Sequence, residues 1–173
     1  SLLERFIAES HSKGYSSFER NILQANTESL RIFAFKPANR AYIIDSLASY
    51  FKIGMELTDR ENYRELFNKE RPVFTKVYDD MPAVYGLESS VKNSLIADGC
   101  HIEGTVENSI LFRDCRIGKG AVVRNSILMP HTVVGDGASL SYCVADKSVV
   151  IRSGKTLSGA ETWPIYFGKG ILI

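Results

Sequence analysis

The chain has 173 residues, enough for one to one and a half domains with a real core. Hydrophobic residues at 45% and charged residues at 24% are ordinary globular values, which excludes collagen, disordered tails and disulfide scaffolds. Twenty-one Lys and Arg against 20 Asp and Glu give +1, no electrostatic footprint for nucleic acid or anionic lipid, and no apolar run approaches the 18 residues of a membrane span.

In chain order, the first 70 residues read as mixed α/β. Leu2, Leu3, Phe6 and Ile7 stand at helical spacing, and Lys13-Gly14 ends that helix. The chain opens at Ser1 directly into this amphipathic element, which suggests a piece of a longer chain. Ser16 three before Glu19 has capping-box spacing, with Phe18, Ile22 and Leu23 as the next helix face. Leu30 to Phe35 alternates with period two, a strand pattern; Lys36-Pro37-Ala38-Asn39 reads as a turn and Arg40 to Ile44 as a second strand. Ser46 caps a helix carrying Leu47, Tyr50, Phe51 and Met55, and Thr58 with Glu61 opens another that ends near Asn68-Lys69.

Residues 71–90 change character. Pro72 and Pro82 forbid a helix interior, so this stretch reads as an extended linker whose Val73, Phe74, Val77 and Tyr78 pack against something.

From residue 91 the chain repeats itself. Asn93-Ser94-Leu95-Ile96 recurs as Asn108-Ser109-Ile110-Leu111 and Asn125-Ser126-Ile127-Leu128, then degenerates to Tyr142-Cys143-Val144-Ala145; the starts are 15, 17 and 17 residues apart. Nine residues on stand Ile102, Ile117, Val134 and Ile151, followed by glycines; an apolar position returns at Val106, Val122 or Val123, Leu140 and Leu157. Aliphatics at roughly six-residue intervals, separated by small and polar residues, are the hexapeptide β-helix signature. Each coil is a triangle of three short strands, and four coils stacked at about 4.8 Å make a prism roughly 20 Å tall. Residues 91–160 therefore form a left-handed parallel β-helix. Gly118-x-Gly120 and Gly135-x-Gly137 recur with the repeat and open no helix, so they are corner glycines rather than dinucleotide motifs. Glu161 to Ile173 falls out of register; in it Gly168-Lys169-Gly170 followed by Ile171-Leu172-Ile173 reads as a last strand that returns to cover an end of the stack, with Trp163 and Pro164 packing the segment. Leu128, Met129, Val133 and Val149, outside the inward phase, offer a face for pairing between subunits. Cys100, Cys115 and Cys143 have no ligand spacing and read as reduced, buried thiols.

An α/β ending, a Pro-containing linker, a hexapeptide β-helix and a terminal aliphatic strand, in that order, resemble the C-terminal part of the ADP-glucose pyrophosphorylase (glucose-1-phosphate adenylyltransferase) family. The resemblance rests on the Arg71 to Ala83 segment, on Asn93 through Gly104 and on Ile44 to Phe51. It implies that residues 1–70 are the remnant of a nucleotidyltransferase domain. The family carries a Trp-Arg-Asp-Val-Gly-Thr run where this chain has Ile43-Ile44-Asp45-Ser46-Leu47-Ala48. Only the aspartate survives, so Asp45 is at most a remnant of the family's metal and sugar-phosphate aspartate, and its other reading is a helix N-terminal carboxylate. Losing the arginine, glycine and threonine makes the chain similar to the accessory, regulatory glycogen-biosynthesis subunit of the D type in Gram-positive bacteria.

The resemblance implies a cytoplasmic subunit that joins a catalytic subunit, itself or both, with Mg²⁺ as cofactor of the full-length family and none in this fragment. No Gly-rich loop opens a helix in residues 1–70, so these 173 residues alone are expected to lack transferase activity. Nucleic acid and membrane are not expected partners. A small anionic metabolite is a possible effector, for which Arg113, Arg116, Lys147, Arg152 and Lys155 are the candidates. The alternatives are another sugar-nucleotide pyrophosphorylase, or a hexapeptide acyltransferase using His101 or His131 as base, although the two sit at non-equivalent repeat positions.

Overall fold

The structure, a computed structural model, describes residues 1–37, 41–70, 72–74 and 79–173. It divides into two compact units, residues 1–40 and 41–173, so the first division of the chain falls well before residue 70.

In the first unit, α1 spans Leu2–Lys13. Ser1 and Glu4 form a reciprocal capping box, and Gly14 closes the helix in the left-handed conformation at φ 64°. The expected second helix is a π turn, Glu19–Leu23, running into a 3₁₀ turn, Gln24–Asn26. Its start lies one residue later than the Ser16–Glu19 spacing suggests: the Arg20 amide donates to the Ser17 hydroxyl at 3.2 Å and the Ser17 amide to Asn21 at 3.1 Å. The strand expected over Leu30 to Phe35 does not form, and Phe33 and Phe35 are 84% and 88% exposed. Residues 41–44 are no strand either. Alternation says which face each side chain would take in a ladder; it does not supply the neighbouring strands that make a short ladder stable. Ala38, Asn39 and Arg40 of the expected turn and second strand lie outside the described residues.

In the second unit, α2 spans Leu47–Glu56 and is capped as expected by Ser46, whose hydroxyl accepts the Ser49 amide. The next helix, α3, spans Arg60–Leu66. Asp59 rather than Thr58 caps it, taking the Glu61 and Asn62 amides at 2.9 and 3.2 Å, while the Thr58 hydroxyl turns back to the Met55 carbonyl. The helix ends short of the expected Asn68-Lys69.

Fifteen short strands then wind into three five-stranded, all-parallel sheets. Sheet A holds β1 (Val84–Tyr85), β4 (His101–Ile102), β7 (Arg116–Ile117), β10 (Val133–Val134) and β13 (Val150–Ile151). Sheet B holds β2 (Ser90–Lys92), β5 (Thr105–Glu107), β8 (Val122–Arg124), β11 (Ser139–Ser141) and β14 (Thr156–Ser158). Sheet C holds β3 (Leu95–Ile96), β6 (Ile110–Leu111), β9 (Ile127–Leu128), β12 (Cys143–Ala145) and β15 (Ile165–Phe167). This is the left-handed parallel β-helix read from the repeats. Its first strand, β1, falls inside the stretch read as linker, so the stack starts before residue 91. Within that stretch Val73 and Phe74 are exposed instead of packed, and Arg71, Val77 and Tyr78 lie outside the described residues.

The core is a set of in-register columns. Ile102, Ile117, Val134 and Ile151 fill the side of sheet A; Val106, Val123 and Leu140 that of sheet B; Leu111, Leu128 and Ala145 that of sheet C, all at 1% exposure or less. Val123, not Val122, is thus the inward valine. Leu128 and Val149 also point inward and are fully buried, which removes them from any outer face. The outward apolar row is Ile110, Ile127 and Val144 on sheet C, and helix α2 covers it with Phe51 and Met55. Gly54 permits this approach: a Cβ there would stand 2.7 Å from Ile127 Cδ1.

The C-terminal segment holds the expected cover and one strand more. Ile165 to Phe167 pair in register with Cys143 to Ala145, so β15 continues the stack. The residues that broke the register form a turn in which Ala160 and Trp163 exchange backbone hydrogen bonds. Pro164 is buried, but Trp163 is 81% exposed and packs nothing. Ile171 to Ile173 cover the end of sheet A as read from the sequence: Leu172 bridges Val150 in parallel, the Ile173 amide donates to Val150 and the Arg152 amide to Ile173.

Candidate functional site

One corner of the β-helix, between sheets B and C, is built from the Asn-Ser repeat. Asn93, Asn108, Asn125 and Tyr142 all take left-handed backbone angles, φ 43° to 53°, which asparagine tolerates better than most residues. Each following serine turns inward, so the asparagines form an outward row, one per coil; Asn93 Nδ2 donates to Asn108 Oδ1 at 2.8 Å.

Helix α2 stands beside this row, and between them lies a cleft of about 890 Å³. Ser49, Lys52 and Glu56 from the helix, with Thr58 beyond it, face the asparagines and Tyr142; Phe51 and Met55 supply apolar wall, and Glu161 and Thr162 close one end. Phe51 and Tyr142 are in tilted ring contact, 6.4 Å between centroids. The charged lining is one lysine against two glutamates. The cleft can therefore offer many neutral donors and acceptors, with apolar surface behind them and no surplus of positive charge.

The residues singled out from the sequence lie elsewhere. Asp45 is exposed just before α2, and the hydroxyls of Ser49 and Ser46 hold its carboxyl below the usual carboxylate range. That geometry is the helix N-terminal carboxylate. Among the described residues no three His, Cys, Asp or Glu side chains converge on a point that could hold a metal. Arg116 stands on the outer surface of sheet A between His101 and Val133. Arg113 and Lys147 occupy corresponding corners between sheets C and A, two coils apart; Arg152 and Lys155 lie at the other end of sheet A. The five cations thus share one side of the prism without converging, and none of them lines the cleft.

His101 and His131 are exposed; His131 Nδ1 is 3.3 Å from Asp114 Oδ2 at a corner away from the cleft. The cysteines are free and buried. Contact with Cys100 and burial push the Cys115 thiol up, and burial pushes that of Cys143 up to about 11, so both are protonated and inert at neutral pH.

The cleft residues Asn93, Asn108 and Asn125 were legible only as repeat markers. The signal that could have found them is a polar residue kept at an outward corner, coil after coil, where glycine would serve the backbone equally well.

Residues 81–161 match the family described as GlmU-like, C-terminal hexapeptide. The chain is 40% identical to the glycogen biosynthesis protein GlgD of Bacillus subtilis (strain 168), covering 99% of this chain and 50% of that protein. It is 44% identical to GlgD of Geobacillus stearothermophilus over 71% of this chain and 36% of that one. It is 31% identical to the glucose-1-phosphate adenylyltransferase of Geobacillus stearothermophilus over 71% of this chain and 33% of that enzyme. The chain spans about half the length, or less, of these curated relatives.

Proposed function

The chain belongs to the ADP-glucose pyrophosphorylase (glucose-1-phosphate adenylyltransferase) family, and on that premise we propose that it is part of a regulatory, weakly catalytic or non-catalytic subunit acting in glycogen biosynthesis in the cytoplasm. The observation that carries this reading is the graded similarity: 40% identity over nearly the whole chain to a GlgD, against 31% over 71% of it to an adenylyltransferase. The Asp45 surroundings support it. A site for phosphoryl chemistry needs cations, metal or backbone amides aimed at the transferring group, and the Asp45 carboxyl has the hydroxyls of Ser49 and Ser46 from its own helix cap instead.

The part this chain plays is assembly and regulation. The outer row of sheet A, with Val84, Val150 and Leu172 exposed and in line, is a rigid strip suited to a catalytic subunit or a second copy. Arg113, Arg116, Lys147, Arg152 and Lys155 lie on the same side, where an anionic metabolite held at a subunit contact could gather charges that one prism leaves apart. Among the described residues no helix is long and apolar enough to cross a membrane.

The test mixes this chain with a separately purified catalytic subunit and follows ADP-glucose formation from ATP and glucose-1-phosphate. The chain alone should form none. Mixed, it should co-elute with the catalytic subunit and alter its response to a phosphorylated effector, and Arg152→Ala with Lys155→Ala should weaken that alteration. ADP-glucose formed by this chain alone, or no co-elution, overturns the reading. The His131–Asp114 contact is the one feature favouring the acyltransferase alternative; acyl-CoA turnover abolished by His131→Ala would establish it.

A further inference from the structure

We propose that the cleft between α2 and the asparagine corner binds a neutral, linear oligosaccharide. Three features of the wall point to that chemistry. First, Asn93, Asn108 and Asn125 present carboxamides in a straight row, one per coil, at the strand spacing of about 4.8 Å. A carboxamide both donates and accepts, which is what vicinal hydroxyls need, and a row with a repeat suits a ligand with a repeat. Second, the lining carries Lys52 against Glu56 and Glu161, so a phosphorylated or carboxylated ligand finds no net attraction there. Third, the apolar surface within reach comes from Tyr142 and Met55, an aromatic ring and a thioether of the kind that receives the C–H face of a sugar ring, with the buried Phe51 packed behind them.

Trp163 adds a fourth observation from outside the cavity. It follows Glu161 and Thr162, which line the cleft, and it is 81% exposed although its neighbour Pro164 is buried. An indole left in water next in sequence to the cleft lining is a stacking surface, and as the only tryptophan of the chain it reports on that segment.

The class of ligand rests on the cleft alone. The choice of an α-1,4-glucan as first probe rests on the glycogen-biosynthesis reading, and the experiment separates the two. Titrating the full chain with maltoheptaose should change the emission of Trp163 in a saturable way. Asn108→Gly keeps the left-handed corner accessible while removing one amide, and should weaken binding about tenfold with the far-UV spectrum unchanged. Asn125→Gly should do the same. Cello-oligosaccharide binding with maltoheptaose excluded would keep the oligosaccharide site and overturn the α-glucan. Displacement by inorganic phosphate at comparable concentration would overturn a neutral-ligand site. Failure of every oligosaccharide to bind the folded chain would overturn the proposal altogether.

Discussion

The amide of Ser126 donates to the hydroxyl of Ser109, one coil away, at 3.2 Å. The pattern continues in both directions: the Ser109 amide reaches the Ser94 hydroxyl at 3.1 Å, and the Cys143 amide reaches that of Ser126 at 3.1 Å. Each hydroxyl in turn donates to the carbonyl two residues before it, at 2.7 Å, on Lys92, Glu107 and Arg124. The serines thus stitch a corner where the β ladder is interrupted and backbone groups would otherwise be buried without partners. Asn and Ser recur together for two different reasons: one takes the backbone bend, the other takes the amides the bend strands.

Ser126→Ala should therefore be costly for its size. Ser126 is fully buried, and its loss takes the hydroxyl that the Cys143 amide donates to, while the Arg124 carbonyl keeps the Tyr142 amide. About 1–3 kcal/mol of stability should go, read as a lower urea midpoint at unchanged slope. An unchanged midpoint would mean that water replaces the hydroxyl and that the ladder is incidental.

The repeat made most of the fold legible because a solenoid writes its packing into the chain at fixed intervals: Ile102, Ile117, Val134 and Ile151 occupy one column in sequence and in space. What was illegible lacked that redundancy. Val84 and Tyr85 pair in the stack without any repeat motif, and Leu128 and Val149 point inward from positions that period alone placed outside. The cleft was hidden for another reason. One wall is the α2 face and the other a corner of the solenoid, and nothing in the sequence says that Phe51 lies on Ile127. The alternation at Leu30 to Phe35 misled because a strand is a relation between segments.

The two glycines of Gly118-x-Gly120 should fail differently. A Cβ on Gly118 would stand 2.7 Å from the Asp136 amide nitrogen, backbone of the next coil that cannot step aside. Gly120 has open space but φ 64°, where alanine loses about 1–2 kcal/mol. Gly118→Ala should lower the melting temperature more than Gly120→Ala, and Gly120→Asn should restore much of the latter. Equal effects would refute the close-approach explanation of the first glycine.

Stability should decline in alkali. Burial raises the Cys143 thiol to about 11 from an ordinary value near 9.0, so the folded chain keeps a proton that the unfolded chain releases. A raised folded value contributes stability that is complete below the unfolded value and is lost as pH rises through the folded one. The urea midpoint should therefore fall between about pH 9 and about pH 11. Cys143→Ser, which restores the ladder residue of the other coils, should reduce that slope; Cys115, raised by its contact with Cys100 and then by burial, keeps it from vanishing. An identical slope in wild type and variant would place the alkaline loss elsewhere.

Phe51→Ala should separate the helix from the stack. Phe51 is 2% exposed and packs with Ile127 and Val144 in a cluster distinct from the column core, which needs nothing from α2 to stay filled. A phenylalanine deletion of this kind removes about 3–5 kcal/mol, more than a ten-residue helix can supply by itself. The expected result is local: amides of α2 exchange rapidly, far-UV helix signal drops, and amides of β7 to β12 keep their protection. The same variant should lose the oligosaccharide response of Trp163, since one wall of the cleft would be gone while the asparagine row remained. Cooperative loss of protection in helix and sheets together would show that α2 is part of the solenoid's own folding unit.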